Sequence, residues 1–210
     1  MTIVRTILIA KAPRPGRVKT RLIPALGERG AAALAAHLLR HTATTALAAD
    51  LGPVELCVTP GPALPLWREL GLPDGLRWSA QGSGDLGARM HRAVRRAEGA
   101  GERALLIGMD CPALAPAHLR RAAEQLERRE AALIPSHDGG YVLLGLRRSA
   151  AVLFEGMPWS TARVYAETCR RLQALGWTWG EQPALADIDR PDDLRALPAA
   201  LDPLRRRGPG

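Results

Sequence analysis

Lysine is nearly missing from this chain. Of its 29 lysines and arginines only Lys11 and Lys19 are lysine. Aromatic residues are scarce too, at 4% with a single phenylalanine, which leaves no row of rings on which nucleic-acid bases could stack. The three cysteines (Cys57, Cys111 and Cys169) show no CxxC spacing and no Cys/His cluster. That argues against a disulfide framework or a zinc site and for free thiols in a reducing compartment. No apolar run approaches the ~20 residues of a membrane span. The N-terminal stretch also lacks the apolar segment and small-residue cleavage site of a secretion signal. The expected location is the cytoplasm, with no membrane partner.

What is present fits one domain. Hydrophobic residues make up 47% of 210 positions and charged residues 24%, enough for a core that needs neither disulfides nor a structural metal. Residues 1–204 are expected to form the domain and 205–210 ("RRRGPG") a disordered basic tail. The net charge of +8 raises nucleic-acid binding as one reading. The arginines, however, lie interleaved with glutamate in "HRAVRRAEGAGER" and "HLRRAAEQLERRE", the pattern of a solvated helix face. A basic surface of this kind suits a small anionic substrate.

Strand-like and helix-like segments alternate. "IVRTILIA", "VELCV", "LRWS", "RALLIG", "AALIP", "YVLLGL" and "WTWGEQ" read as strands. Between them come a long Ala/Leu helix after Gly27, a short one through Trp67, one from Asp85, one over 116–130, and one capped by Ser160 or Thr161 that runs towards Leu175. A last helix has Pro191 in its first turn. The predicted fold is α/β, a mostly parallel sheet with helices on both faces. Ligands of such sheets bind beyond the carboxyl ends of the strands.

The first strand is followed by "KAPRPGRVKTRL". Pro13 and Pro15 restrict the backbone, Gly16 permits close approach, and Lys11, Arg14, Arg17, Lys19 and Arg21 supply charge next to Thr20. Lysine is a compact charge on a long stem, suited to a phosphate that moves, whereas arginine prefers a fixed two-pronged contact. Retaining lysine only here points to polyphosphate binding. A P-loop kinase is the competing reading of "GRVKT", but Val18 stands where that motif needs glycine.

Three later stretches complete the pattern. Asp110 in "GMDCP" ends a strongly apolar strand, a common place for a Mg²⁺ ligand. Asp187 and Asp189 in "ADIDRPDDL" share one side if extended, and a cation would relieve their repulsion. Gln81, Gly82 and Asp85 in "QGSGDLGARM" can meet a base or ribose, or form a turn. Asp138, Gly139 and Gly140 can receive an acceptor or simply turn a hairpin. Trp159, Ser160 and Thr161 in "MPWST" can hold an acceptor anion at a helix start or cap that helix. No Ser/His/Asp nucleophile set is visible, which favours direct displacement.

With those stretches in order, the chain resembles the small bacterial GT-A-fold transferases described as arsenosugar-biosynthesis glycosyltransferases. More distantly it is similar to 2-phospho-L-lactate guanylyltransferase and the molybdenum-cofactor nucleotidyltransferases. The resemblance implies a nucleotide-diphospho-sugar transferase fold. It implies a nucleotide or nucleotide-sugar donor at the first loop, and Mg²⁺ or Mn²⁺ at Asp110 with Asp187 or Asp189. Lys19, Arg21 and Asp110 are then the catalytic candidates, with a small-molecule acceptor and no nucleic-acid partner. Glycosyl transfer is the first expectation and nucleotidyl transfer the alternative, because "MDCP" has one aspartate where glycosyltransferases of this fold carry DxD.

Overall fold

The computed structural model describes residues 2–201, so the expected tail at 205–210 lies outside the described residues. Seven strands form one sheet: β1 (Val4–Lys11), β2 (Val54–Thr59), β3 (Leu76–Ala80), β4 (Arg103–Ile107), β5 (Ala131–Pro135), β6 (Tyr141–Leu146) and β7 (Trp179–Glu181), in the order β3-β2-β1-β4-β6-β5-β7. All neighbours run parallel except β6, which is antiparallel to both β4 and β5. The chain is thus α/β with a mostly parallel sheet. The exception arises because β5 and β6 form a hairpin, its turn closed by Asp138, whose carboxylate accepts from the Ser136 hydroxyl and from the Gly140 amide at 3.0 Å.

The central strands read as unbroken apolar runs because both of their faces are covered. One face carries α1 (Ile23–Ala48) and α4 (Pro116–Arg128), with Ala35, Leu39, Leu119 and Leu126 packed on Leu8, Leu56, Leu105 and Ile134. The other carries α3 (Leu86–Gly99) and α5 (Val164–Ala174), with Met90, Ala93 and Leu172 on Ile7, Leu106 and Leu144. A short α2 (Leu66–Glu69) lies beside the β2–β3 edge. Among the described residues no helix is long and apolar enough to cross a membrane.

Two features of this frame place the strand-end loops. β1 and β4 are neighbours, with Leu8 opposite Ile107. The loops after them therefore emerge side by side, at the point where strand order reverses and a crevice opens. In addition, a small third cluster joins Leu22, Ala31, Leu34 and Leu38 to Ile188. It draws the late acidic segment onto the first loop, across more than 160 positions of sequence.

Candidate functional site

Lys19 lies at the centre. Its backbone takes a left-handed conformation (φ 48°, ψ 41°) just before a 3₁₀ turn at Thr20–Leu22, an uncommon state for a residue other than glycine. The side chain, only 3% exposed, turns inward: its Nζ lies 2.6 Å from Asp110 Oδ1 and 3.9 Å from Asp189 Oδ1 and donates to the Ile188 carbonyl. Arg21 pairs with Asp189 from the outside. The Ile188 amide in turn donates to the Asp110 carbonyl at 2.9 Å. A buried isoleucine between two acids is thus the joint between the end of β4, the first loop and the C-terminal segment.

Replacing Ile188 with alanine is expected to cost about 2–5 kcal/mol of stability, since its side chain is fully buried. Chemical denaturation of the variant checks this.

Asp187, half-buried on the other side of Ile188, has its carboxyl pushed up to about 7. Burial is the main cause, followed by the charges of Asp110 and Asp138; Lys19 opposes them, and Asp189 adds a smaller push upward. Hard oxygen donors that repel one another in this way fit a divalent cation. Among the described residues no three Asp, Glu, His or Cys side chains form a ready-made metal cluster. Mg²⁺ and Mn²⁺ need only one or two carboxylates when phosphate oxygens and waters fill the rest, so Asp110 with Asp187 or Asp189 is a sufficient donor set. Neighbouring Cys111 is no nucleophile: burial, with the charge of Asp187, pushes its thiol up to about 12.

The remaining cations of the first loop stand free. Lys11, Arg14 and Arg17 are exposed, and among the described residues their side chains make no hydrogen bond or ion pair. Pro13 is buried beneath them, Gly16 is left-handed (φ 71°), and Thr20 is exposed. The kinase reading fails on the same stretch. A P-loop runs directly into a helix that wraps the phosphates, whereas here bends and a 3₁₀ turn intervene and α1 is itself broken at Gly27 (φ 68°, ψ 167°).

Several candidates are already occupied by structural tasks. The Gln81 amide is buried and donates to the carbonyls of Ala10 (3.0 Å) and Cys57 (3.1 Å), while its oxygen accepts from Arg89. It ties the ends of β1 and β2 together rather than reaching into the crevice. Gly82 is left-handed (φ 77°) and closely backed by Arg92. Asp85 is the N-cap of α3, accepting from the Ala88 amide at 2.8 Å.

The acceptor candidates fall on two touching segments. Gly139 at the hairpin tip is left-handed (φ 88°), and a Cβ there would meet the Ala162 carbonyl at 2.3 Å. The strap through Trp159, Ser160 and Thr161 passes against it, and Gly87 of α3 grants the same close approach to Phe154 and the Trp159 indole. The expected cap is corrected here: α5 starts at Val164, with Arg163 at the cap position and no side-chain hydrogen bond. The Thr161 hydroxyl is engaged by the Pro158 carbonyl and the Arg163 amide, and Ser160 is left-handed (φ 63°). Two buried donors nearby, Tyr141 Oη and Trp159 Nε1, have no hydrogen-bond partner among the described residues. The sequence offers Trp159 as an acceptor contact but not Tyr141, because nothing in a sequence marks an unmet donor.

Comparison with known proteins follows the same lines. A model of the family DUF2064, described as uncharacterised proteins conserved in bacteria, matches residues 42–161. No curated protein matches the chain. A solved protein from Desulfovibrio desulfuricans G20, provisionally named a nucleotide-diphospho-sugar transferase, is 31% identical, with 90% of this chain and 84% of that one covered and a TM-score of 0.83. Rv0371c of Mycobacterium tuberculosis H37Rv, solved with manganese, is 23% identical over 94% of this chain and 98% of that one, with a TM-score of 0.55. CMP:2-keto-3-deoxy-manno-octonic acid synthetase, solved with CTP, is 11% identical over 93% and 96%, with a TM-score of 0.58. At that identity the last two share the fold.

Proposed function

The chain belongs to the DUF2064 family, and from its strand-end site we propose that it is a divalent-cation-dependent transferase acting on a nucleotide-linked donor, with nucleotidyl transfer to a small phosphorylated acceptor as its chemistry. The observation that carries this reading is the division of labour among the cations. Lys19 is buried among the carboxylates, while Lys11, Arg14 and Arg17 stand free on the same loop.

In such a reaction an acceptor phosphate oxygen bonds to the α-phosphorus of a nucleoside triphosphate as the bond to the β-phosphate bridging oxygen breaks, and pyrophosphate departs with that electron pair. Charge accumulates on the departing group, where fixed cations lower the barrier most. Lys11, Arg14 and Arg17 are free to hold it. Asp110, with Asp187 or Asp189, would hold Mg²⁺ or Mn²⁺, which when bound supplies Lewis-acid neutralisation of the phosphate oxygens. Lys19 keeps Asp110 in position and offsets the mutual repulsion of the acids. The relative solved with CTP and the one solved with manganese support both partners of this reading.

Glycosyl transfer is the second reading, favoured by the name of the 31% identical relative. The two differ in product. Incubation with nucleoside triphosphates, sugar phosphates and Mn²⁺ is expected to release pyrophosphate. Release of nucleoside diphosphate from sugar nucleotides would favour glycosyl transfer instead. Absence of binding by either nucleotide class at millimolar concentration would rule out both.

A further inference from the structure

A second cleft lies away from the strand-end acids, between α3 and the segment Phe154–Gly156. It encloses about 680 Å³, a volume in the range of small-molecule sites. Its α3 wall presents Arg92, Arg95 and Arg96 at helical spacing, so the three guanidiniums share one face. Among its other lining residues His91 is partly exposed and stacks on the buried Phe154 ring at 5.4 Å with an interplanar angle of 16°.

The charges here are not balanced within the protein. Arg96 is neutralised by Glu55, yet its Nε is buried without a partner. Arg92 donates only to carbonyl oxygens, those of Gln81 and Ser83, so its charge meets no acid. Arg95 is exposed and makes no hydrogen bond or ion pair among the described residues. Two carboxylates also line the cleft. Asp85 is engaged in capping its own helix, where the helix N-terminus absorbs its charge. Glu155 is exposed and forms no ion pair. The guanidiniums of Arg92 and Arg95 thus line a space far larger than a bare phosphate, beside the His91 imidazole.

We propose that this cleft binds a compact phosphate ester, its phosphate held by Arg95 and Arg92 and its body resting against the His91 imidazole. The inference holds whether the strand-end site carries out nucleotidyl or glycosyl transfer, since it uses none of those residues. Charge-assisted hydrogen bonds to phosphate are the strong class, and arginine is the residue best shaped for them.

The test is calorimetric titration of the full chain with glycerol 3-phosphate, with glycerol as the uncharged control and no metal present. Wild type is expected to bind the ester and not glycerol. Arg95→Glu, at an exposed position with no hydrogen bond or ion pair to lose among the described residues, is expected to weaken binding about tenfold or more. Glu155→Gln, which removes the opposing carboxylate, is expected to tighten it. Lys19→Met is expected to leave it unchanged, which separates this cleft from the strand-end site. If wild type does not bind, or if Arg95→Glu and Glu155→Gln both match wild type, the proposal is overturned. If Lys19→Met alone abolishes binding, the ester sits at the strand ends and the proposal is equally overturned.

Discussion

Asp110→Asn is expected to lower metal-dependent turnover about a thousandfold or more while leaving the protein folded. The asparagine has the same shape and still offers an oxygen to Lys19, which lies 2.6 Å from the native carboxylate. The aspartate is also 44% exposed, so its ion pair adds little to stability by itself. What the substitution removes is a negative oxygen from the set facing Asp187. A near-normal melting temperature combined with lost turnover is the predicted pattern. Loss of both together would mark Asp110 as a structural residue.

The second large effect lies away from the site, at Glu55. This carboxylate is 3% exposed near the start of β2 and accepts from Arg5 (2.8 Å), Ser79 (2.6 Å) and Arg96. Burial alone would raise its pKa, but the hydrogen bonds from Ser79, Arg96 and Arg5 outweigh it and hold the carboxyl below its ordinary value. Glu55→Ala leaves the partly buried Arg96 with no acid partner and removes the shared acceptor of Arg5 and Ser79, although Arg5 retains Glu102. The expected cost is about 3–5 kcal/mol, or a fall in Tm of roughly 6–20 °C. The pH dependence follows from the lowered pKa. The stabilisation is complete above the unfolded-state value and is lost as pH falls through the lower folded-state value. Acid unfolding of Glu55→Gln should lack that component, and an acid limb identical to wild type would contradict the assignment.

Much of this molecule is legible from residue patterns, for identifiable reasons. Unbroken apolar runs such as "RALLI" mark strands covered on both faces, and Asp85 and Pro191 mark helix starts that the structure also has. The kinship with nucleotide-diphospho-sugar transferases was readable from the ordered set of loops rather than from any one of them. Other features depend on tertiary placement. Strand order is not encoded locally, so the antiparallel return of β6 between β4 and β5 could be read only as one of two meanings of Asp138-Gly139-Gly140. The start of α5 shifted because Thr161 satisfies Pro158 and Arg163 before the helix begins. The bonds that the Gln81 amide makes to the ends of β1 and β2 were not legible, since nothing local in the sequence reveals them. Glu55 had a usable signal, a lone acid inside "VELCV", because a buried carboxylate must have partners.

The claim on which the functional account rests is that cations of the first loop and acids from the middle and end of the chain act together on one metal-bound polyphosphate. Electron paramagnetic resonance of Mn²⁺, titrated with protein in the presence and absence of a nucleoside triphosphate, measures this directly. The account predicts weak Mn²⁺ uptake by the protein alone, marked tightening when the nucleotide is added, and loss of that tightening in both Asp110→Asn and Lys19→Met. Mn²⁺ binding that ignores the nucleotide, or that persists unchanged in both variants, would contradict it.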